Sequence, residues 1–291
     1  MKKIRFIINP KSGTADKHQF VEWINSTIDK NIFDSEVIFT KAPGHATELA
    51  REAATAFYDI VVSVGGDGSA NETGAGLVGT KTALGIIPTG SGNGMARHLK
   101  IPIDFKKSVL LLNSGKPELV DTLKINDRFC LGTFGIGFDA HIAHLFAKAG
   151  TRGYSTYVKL VLAEFSKFKP INFKIFADKK EYHISCFLLT FANSSQFGNN
   201  AVIAPFADVE DGIIDISIVR KFPVFAAPHL IYRMMNNTIH NSKFFDRLNA
   251  KEILVRNEGK INGHIDGEPV QLDGDIAIKM NPLSLNIIVS K

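Results

Sequence analysis

The sequence predicts an α/β N-terminal domain with a parallel sheet, followed by a β-rich, antiparallel, sandwich-like C-terminal domain. Up to residue 125, strand signals and helix signals alternate, which is typical of a parallel sheet covered on both faces. Beyond Gly115-Lys116-Pro117, strand-like apolar runs become dense and are separated by polar turns, a pattern that favours antiparallel pairing. We therefore predict an α/β domain at residues 1–120 and a β-rich domain at residues 121–291.

The predicted N-terminal elements follow from apolar runs and from helical spacing. A strand at 3–8 precedes a helix at 17–30, where Phe20, Ile24 and Ile28 share one face. The alternation continues with strands at 36–40, 59–64 and 83–87 and helices at 45–57, 69–78, 92–99 and 104–113. In the second domain we predict helices at 139–149, 154–168 and 223–237, and strands at 119–125, 129–138, 171–177, 182–192, 213–219, 251–256, 261–265, 275–280 and 284–289.

Composition limits the class of protein. The chain has 291 residues, 45% of them hydrophobic and 22% charged, as in ordinary globular proteins, and its formal net charge is +5. We find no apolar stretch of the ~18 residues that a membrane-spanning helix needs, and the N-terminus is a first strand, not a signal peptide. We also find no basic cluster of nucleic-acid type, so nucleic acid is not an expected partner. Cys130 and Cys186 lie in apolar runs, which predicts buried free thiols in a reducing cytoplasm.

The most informative segment is a glycine loop that directly follows an apolar run at residues 60–64. Backbone N–H groups between a strand and a helix can bind phosphate, because they are unpaired donors at the positive end of the helix dipole. Asp67 adds a carboxylate that can hold Mg²⁺. The loop therefore predicts binding of a nucleoside triphosphate through Gly65, Gly66, Asp67, Gly68, Ser69, Asn71 and Glu72.

Two further turns follow strands of the same predicted sheet. Asn9-Pro10-Lys11-Ser12-Gly13 comes after the first strand and could, taken alone, be an ordinary turn. Pro88-Thr89-Gly90-Ser91-Gly92-Asn93 comes after the strand at 83–87, and Arg97 lies on the helix that follows. Loops at successive strand ends form a crevice in open α/β sheets, so we expect Gly90, Ser91 and Asn93 to line the nucleotide site.

Asp266-Gly267-Glu268 places two carboxylates on one tight turn. Either carboxylate could take the proton of a hydroxyl nucleophile, although Asp-Gly is also a common hairpin turn without any catalytic role.

Taken in order, these motifs resemble the diacylglycerol-kinase catalytic-domain family, which includes bacterial lipid kinases, sphingosine kinases and ceramide kinases. The resemblance continues through Gly135–Ala140, Ala204–Asp215 and Ile265–Pro269 and spans residues 4–289. It implies an NAD kinase/diacylglycerol kinase-like fold of two domains with a nucleotide cleft. It also implies phosphorylation of a lipid hydroxyl by ATP with Mg²⁺.

The resemblance assigns roles to individual positions. Glu268 matches the proton acceptor of the bacterial members, with Asp266 as its rival. Asp208, Asp211 and Ile213 match a structural Mg²⁺ site, although the two carboxylates could equally cap a loop. The positions that match ATP contacts are Asn9, Pro10, Lys11, Ser12, Gly13, Thr40, Gly66 to Glu72 and Ser91.

Two substrate contacts stay open. Asp139 is either the N-cap of the helix at 140–149 or a carboxylate that contacts the head group of the lipid. Arg97 is either a substrate contact or a partner of a helix carboxylate. Some family members return to their first domain through a C-terminal extension, and with 23 residues after Glu268 we expect that return to be short or missing.

The acceptor itself also stays open among diacylglycerol, a related glycerolipid and a sphingoid base. NAD kinases share the Gly-Gly-Asp-Gly loop, but the Pro-x-Gly-Ser-x-Asn-x-x-Ala-Arg segment at 88–97 argues against them. Further alternatives are a non-catalytic nucleotide or lipid sensor on the same fold and a phosphosugar kinase. The expected partner is a lipid acceptor at the inner membrane face, reached by peripheral contact through the stretch 152–169, and the expected assembly includes a homodimer.

Overall fold

A computed structural model describes residues 1–12, 17–149 and 154–290. The chain divides into a first unit, Met1–Thr122 with Pro282–Lys291, and a second unit, Leu123–Asn281. The first part of the chain alternates as predicted: β1 Lys2–Ile8, α1 Lys17–Thr27, β2 Phe33–Phe39, α2 His45–Thr55, β3 Ile60–Gly65, α3 Asp67–Leu77, β4 Ala83–Pro88, α4 Gly94–His98, α5 Phe105–Ser114 and β5 Lys116–Ile125.

The later elements are mostly strands, as predicted. They are β6 Arg128–Cys130, β7 Thr133–Gly137, α6 Phe138–Lys148, α7 Tyr154–Phe165, β8 Ile171–Ala177, β9 Lys180–Cys186, β10 Leu188–Ala192, β11 Ile214–Val219, a 3-10 helix Val224–Ala226, α8 Ala227–Met235, a 3-10 helix Ile239–Asn241, β12 Phe245–Ala250, β13 Glu252–Arg256, β14 Lys260–Ile265, β15 Glu268–Asp273 and β16 Ile276–Val289.

The first unit contains a parallel sheet in the order β2-β1-β3-β4, which continues to the second half of β16. Its central strands are buried along almost their whole length, because helices cover both faces of a parallel sheet. One apolar cluster packs α1 and α5 against these strands, with the Phe20 and Phe105 rings stacked at a centroid distance of 4.4 Å. Parallel pairing brings the carboxyl ends of β1, β3 and β4 to the same edge.

The second unit is an antiparallel sandwich. One sheet has the order β12-β11-β10-β7-β14-β15, and the other runs from the first half of β16 through β13 and β8 to β9. Side chains from both sheets form a single apolar core, in which Phe134 and Phe191 stack at a centroid distance of 5.7 Å. The predicted fold class is therefore confirmed.

Differences from the sequence prediction lie at the sheet edges and in how the strands are divided. The predicted strands 129–138 and 182–192 are each two strands, β6 and β7 and then β9 and β10, whereas the predicted strands 275–280 and 284–289 are one strand, β16. The edge strands β12 and β15 were not predicted. The C-terminal return is short, as one form of the expectation had it, but it is present: Pro282–Lys291 belongs to the first unit, and Ile287 pairs with Leu84. Alternation alone could not show this, since a strand's partner depends on which sheet edge is open.

Candidate functional site

Three loops meet at one edge of the first unit's sheet. β1 pairs with β3 through Ile8 and Val64, and β3 pairs with β4 through Gly65 and Pro88, so the three strands end side by side. The Asn9 N–H donates to the carbonyl of Val64 at 3.2 Å, which continues the ladder into the first loop. We call residues 9–12, 65–69 and 88–93 the loop cluster.

Polar side chains join the loops of this cluster. Asn9 Nδ2 donates to Ser69 Oγ at 3.2 Å, and Asn9 Oδ1 accepts the Lys11 N–H at 2.9 Å. The hydroxyls of Ser12 and Thr89 lie 3.3 Å apart. Residues from all three loops therefore form one connected surface of small polar groups.

The two glycine loops touch through their backbones. A Cβ on Gly90 would lie 2.5 Å from the Cα of Gly66, a distance that real Cβ atoms do not show. Glycine is therefore required for steric reasons at this point, where the main chain must come close to a neighbour. The N-terminus of α3 opens directly onto this contact, because its N-cap, Gly66, is extended and no side chain caps it.

Asp67 holds the third loop in place. Its Oδ2 accepts the Asn93 N–H at 2.8 Å and its Oδ1 accepts the Gly94 N–H at 2.7 Å, so it caps the start of α4. Asn93, which is buried, bonds both the N–H and the carbonyl of Gly90. Arg97 Nε donates to the carbonyl of Gly92 at 3.1 Å, which ties α4 to the loop before it.

The remaining predicted nucleotide contacts lie around this cluster. The Thr40 N–H donates to the carbonyl of Ile8 at 2.9 Å, just beyond β2. Gly68, Asn71 and Glu72 lie in the first turns of α3. Pro10, Lys11 and Ser91 are exposed, and Gly13 lies outside the described residues.

In the second unit, Asp266 and Gly267 are the central residues of the two-residue turn between β14 and β15. Ile265 pairs with Glu268, and the turn residues have φ of 49° and 83°, as a type I′ hairpin requires. The Asp266 carboxylate accepts the backbone N–H groups of Leu131, Gly132 and Thr133 at 2.8, 2.7 and 2.8 Å. Asp266 therefore both forms the hairpin turn and anchors the segment before β7.

Glu268 differs from Asp266 in its surroundings. It is the first residue of β15, and its side chain is exposed. Two carboxylates that the sequence could not distinguish thus have different environments: Asp266 is tied to the backbone and Glu268 faces solvent.

The sequence analysis missed a buried pair formed by Asp139 and His264. His264 Nε2 lies 2.9 Å from Asp139 Oδ2, and the two residues are 4% and 9% exposed. The prediction of Asp139 as an N-cap was wrong, because α6 has Gly137 as its N-cap, with φ of 110°, and Asp139 lies in its first turn. The sequence held no local signal for this pair, because Asp139 and His264 lie 125 positions apart and meet through the pairing of β7 with β14.

A close approach at Gly135 accommodates this pair. A Cβ on Gly135 would lie 2.2 Å from Asp139 Oδ2 and 2.3 Å from His264 Nε2. Among the described protein groups, His264 Nδ1 has no hydrogen-bond partner, and the Phe197 ring stands edge-on to the imidazole at a centroid distance of 5.8 Å.

The two cysteine thiols lie near these carboxylates. Burial, together with the charge of Asp266, raises the pKa of Cys130 well above its ordinary value. Burial and the charge of Asp139 raise the pKa of Cys186 to about 12. Both thiols are free and buried, as predicted.

The proposed structural Mg²⁺ residues form local turns. Asp208 Oδ1 accepts the Glu210 N–H at 3.0 Å, and Asp211 Oδ1 accepts the Ile213 N–H at 2.9 Å. Within residues 1–12, 17–149 and 154–290, no three His, Cys, Asp or Glu side chains are grouped as a metal site. A metal at this turn would therefore need backbone carbonyls or water in its coordination shell.

Two family profiles cover most of the chain. The one described as the diacylglycerol kinase catalytic domain matches residues 3–125, and the one described as the YegS C-terminal NAD kinase beta sandwich-like domain matches residues 132–289. This chain belongs to the family that these two profiles describe together, a diacylglycerol kinase catalytic domain followed by a YegS-type C-terminal domain. The family resemblance drawn from the motifs is thereby confirmed.

Individual relatives agree with this assignment. The chain is 26% identical to a diacylglycerol kinase of Bacillus subtilis, over 92% of this chain and 90% of the relative. It is 29% identical to a diacylglycerol kinase of Mycobacterium tuberculosis, over 91% of this chain and 88% of that relative. A crystal structure of a diacylglycerol kinase from Bacillus anthracis has the same fold, with a TM-score of 0.75 and 22% identity over 99% of this chain and 97% of that one.

The family and its named members support a lipid kinase function for this chain. In the described part of the chain, every helix is too short or too polar to cross a bilayer.

Proposed function

We propose that this protein is an ATP- and Mg²⁺-dependent kinase that phosphorylates the hydroxyl of diacylglycerol or a related lipid. The observation that carries the proposal is the loop cluster with Asp67 at the carboxyl edge of a parallel sheet, in a chain of the diacylglycerol kinase family.

The loop cluster fits the phosphates of a nucleotide. The contact between Gly66 and Gly90 has no room for side chains, so a ligand there meets bare backbone. N–H groups at the start of α3 supply donors at the positive end of a helix dipole. Bound Mg²⁺–ATP would supply the phosphoryl group and neutralise its charge during transfer. Asp67 is the carboxylate of the cluster that would hold the metal through water molecules, because both of its oxygens already accept backbone N–H groups and Mg²⁺ usually keeps several waters.

Glu268 is the better proton acceptor of the two turn carboxylates. A general base must turn its oxygen toward the substrate hydroxyl. The carboxylate of Asp266 already accepts three backbone N–H groups, whereas that of Glu268 is exposed at the start of β15. We therefore assign the base to Glu268 and a positioning role to Asp266, which holds the turn that carries Glu268.

The buried pair favours a glycerolipid over a sphingoid base. A sphingoid base carries an ammonium group, and recognition of that group by Asp139 needs an accessible carboxylate. Asp139 is 9% exposed and bonded to His264. Direct contact with a cationic head group would first require this pair to separate.

The experiment is transfer of labelled phosphate from γ-labelled ATP to a panel of lipids in mixed micelles, with NAD as a control acceptor. We expect labelled diacylglycerol or a related glycerolipid with the wild type, and loss of transfer in Asp67→Asn and Glu268→Gln. Label on NAD, or wild-type transfer in Asp67→Asn, would contradict the proposal. Bound ATP without transfer to any lipid would favour a sensor.

A further inference from the structure

The helical segment at residues 224–235 exposes an apolar face on the second unit. A 3-10 turn, Val224–Ala226, leads directly into α8, Ala227–Met235, and Ala226 itself is helical. The large apolar side chains exposed along it are Val224, Phe225, Ile231, Tyr232 and Met235, and Phe225 is 82% exposed. We call these five residues the outer face of α8.

Helix geometry places these residues on one side. At ~120° per residue in the 3-10 turn and ~100° in α8, the five positions fall within an arc of about 140°. Leu230, which is buried, points to the opposite side and packs with Met234 on a separate apolar cluster. A surface helix normally has one apolar face, which it buries. This helix has a second apolar face, which no other part of the described chain covers.

The chain segment that carries the outer face is basic. The sequence has no Asp or Glu between Asp215 and Asp246, a stretch that contains Arg220, Lys221, Arg233 and Lys243. Lys243 is exposed. The amine of Lys221 is used internally, since it donates to the carbonyls of Phe165 and Phe168 at 2.8 and 2.9 Å.

Arg220 is partly neutralised by Asp246, with Nε and Oδ2 2.9 Å apart. The guanidinium of Arg233 bonds His229 and the carbonyl of Thr238, which holds it beside the helix. The outer face therefore lies in a segment that has positive charge and no acid.

We propose that the outer face of α8 inserts into the interface of an anionic lipid bilayer. An exposed apolar helix face within a basic segment is the pattern of a helix lying in the plane of a membrane, where apolar side chains enter the acyl boundary and cations meet anionic head groups. The choice of a bilayer as the occupant rests on this charge pattern and on the proposed function, which requires access to a lipid.

In the described part of the stretch 152–169, two of the phenylalanine rings are not available for docking. Phe165 is 6% exposed and packs with Phe138, Phe187 and partly buried Phe168 in an internal cluster, so these rings are not available for insertion. Lys167 is paired with Glu164 at 2.7 Å. The side chains of Tyr154 and Tyr157 lie outside the described residues.

The test is binding of full-length protein to vesicles, measured by co-sedimentation without nucleotide. Vesicles of equimolar phosphatidylglycerol and phosphatidylcholine are compared with vesicles of phosphatidylcholine alone. The variant is the double substitution Phe225→Ser with Ile231→Gln, and Lys243→Gln tests the charge separately. Phe57→Ser is the matched control, because Phe57 is 88% exposed on the first unit. Circular dichroism checks that each variant is folded.

We expect the wild type to prefer anionic vesicles, the double variant to bind at least about tenfold more weakly, and Phe57→Ser to bind like the wild type. Lys243→Gln should weaken binding in low salt and much less in high salt. Equal vesicle binding by wild type and double variant would overturn the proposal. A second result would also overturn it: in the absence of lipid, the wild type is a dimer and the double variant is a monomer. The outer face would then contact a second copy of the chain.

Failure of docking and failure of the proposed function give different results. Vesicle binding is measured without ATP, so it can stand even if no lipid is phosphorylated. Turnover of a dispersed short-chain diacylglycerol, which needs no bilayer, should be unchanged in the double variant. If the double variant loses that turnover as well, the outer face contributes to the reaction itself, and a pure docking role is refuted.

Discussion

The contrast between Asp266 and Glu268 can be tested by substituting each with its amide. In Asp266→Asn the side chain can keep an oxygen toward the N–H groups of Gly132 and Thr133, but its amide nitrogen then faces the N–H of Leu131. Asparagine tolerates positive φ, so the hairpin turn itself can persist. The substitution therefore removes hydrogen-bond acceptance without forcing a new backbone conformation.

The magnitude follows from the bonds that are lost or weakened. A hydrogen bond to a charged group contributes ~1.5–3 kcal/mol, and the two retained bonds become neutral and therefore weaker. We expect Asp266→Asn to lower the free energy of unfolding by about 2–4 kcal/mol. Glu268→Gln should change it by less than ~0.5 kcal/mol, because the side chain is exposed.

Urea unfolding followed by far-UV circular dichroism measures the global effect, and amide hydrogen exchange at residues 131–133 measures the local one. We expect these amides to exchange ~30- to 700-fold faster in Asp266→Asn and at the wild-type rate in Glu268→Gln, since 1.4 kcal/mol corresponds to tenfold. The kcat of Glu268→Gln should fall ~100-fold or more, as for loss of a general base. Two results would refute the assignment. One is an unchanged exchange rate at residues 131–133 in Asp266→Asn. The other is an Asp266→Asn variant that is stable but inactive, together with a Glu268→Gln variant that is active.

Three further predictions follow from close contacts and buried groups. Gly90→Ala should weaken nucleotide binding, because its Cβ would clash with the backbone of Gly66. Titration with a fluorescent ATP analogue measures this, with Ser114→Ala, an exposed position outside the loop cluster, as the control. Cys130 and Cys186 should resist alkylation by iodoacetamide at pH 8 in the folded protein, because a raised pKa keeps each thiol protonated. Both should react once the protein is unfolded. Rapid labelling of the native protein would contradict this prediction. Gly135→Ala should lower the unfolding free energy by ~1–3 kcal/mol, because its Cβ would collide with the aspartate–histidine pair; an unchanged urea midpoint would show that the pair moves aside freely.

Local sequence patterns were sufficient to predict the buried parallel strands and the helices that pack one apolar face against them. The alternation of apolar runs predicted β1, β3 and β4 and the helices between them, because a buried parallel strand must be apolar along its whole length. The glycine loops were also visible, since their positions at strand ends are a property of the chain itself. Edge strands such as β12 were missed, because half of their residues face solvent and carry no continuous apolar signal.

The tertiary structure decided what each polar residue contacts. The sequence by itself determined the family, the two-part fold and the set of candidate carboxylates. It could not distinguish Asp266 from Glu268, because the N–H groups that bind Asp266 come from residues 131–133, more than a hundred positions earlier in the chain. The pairing of Asp139 with His264 likewise depends on β7 and β14 lying side by side. Apolar periodicity is a local property of the chain, whereas a hydrogen-bond partner depends on which segments the fold brings together.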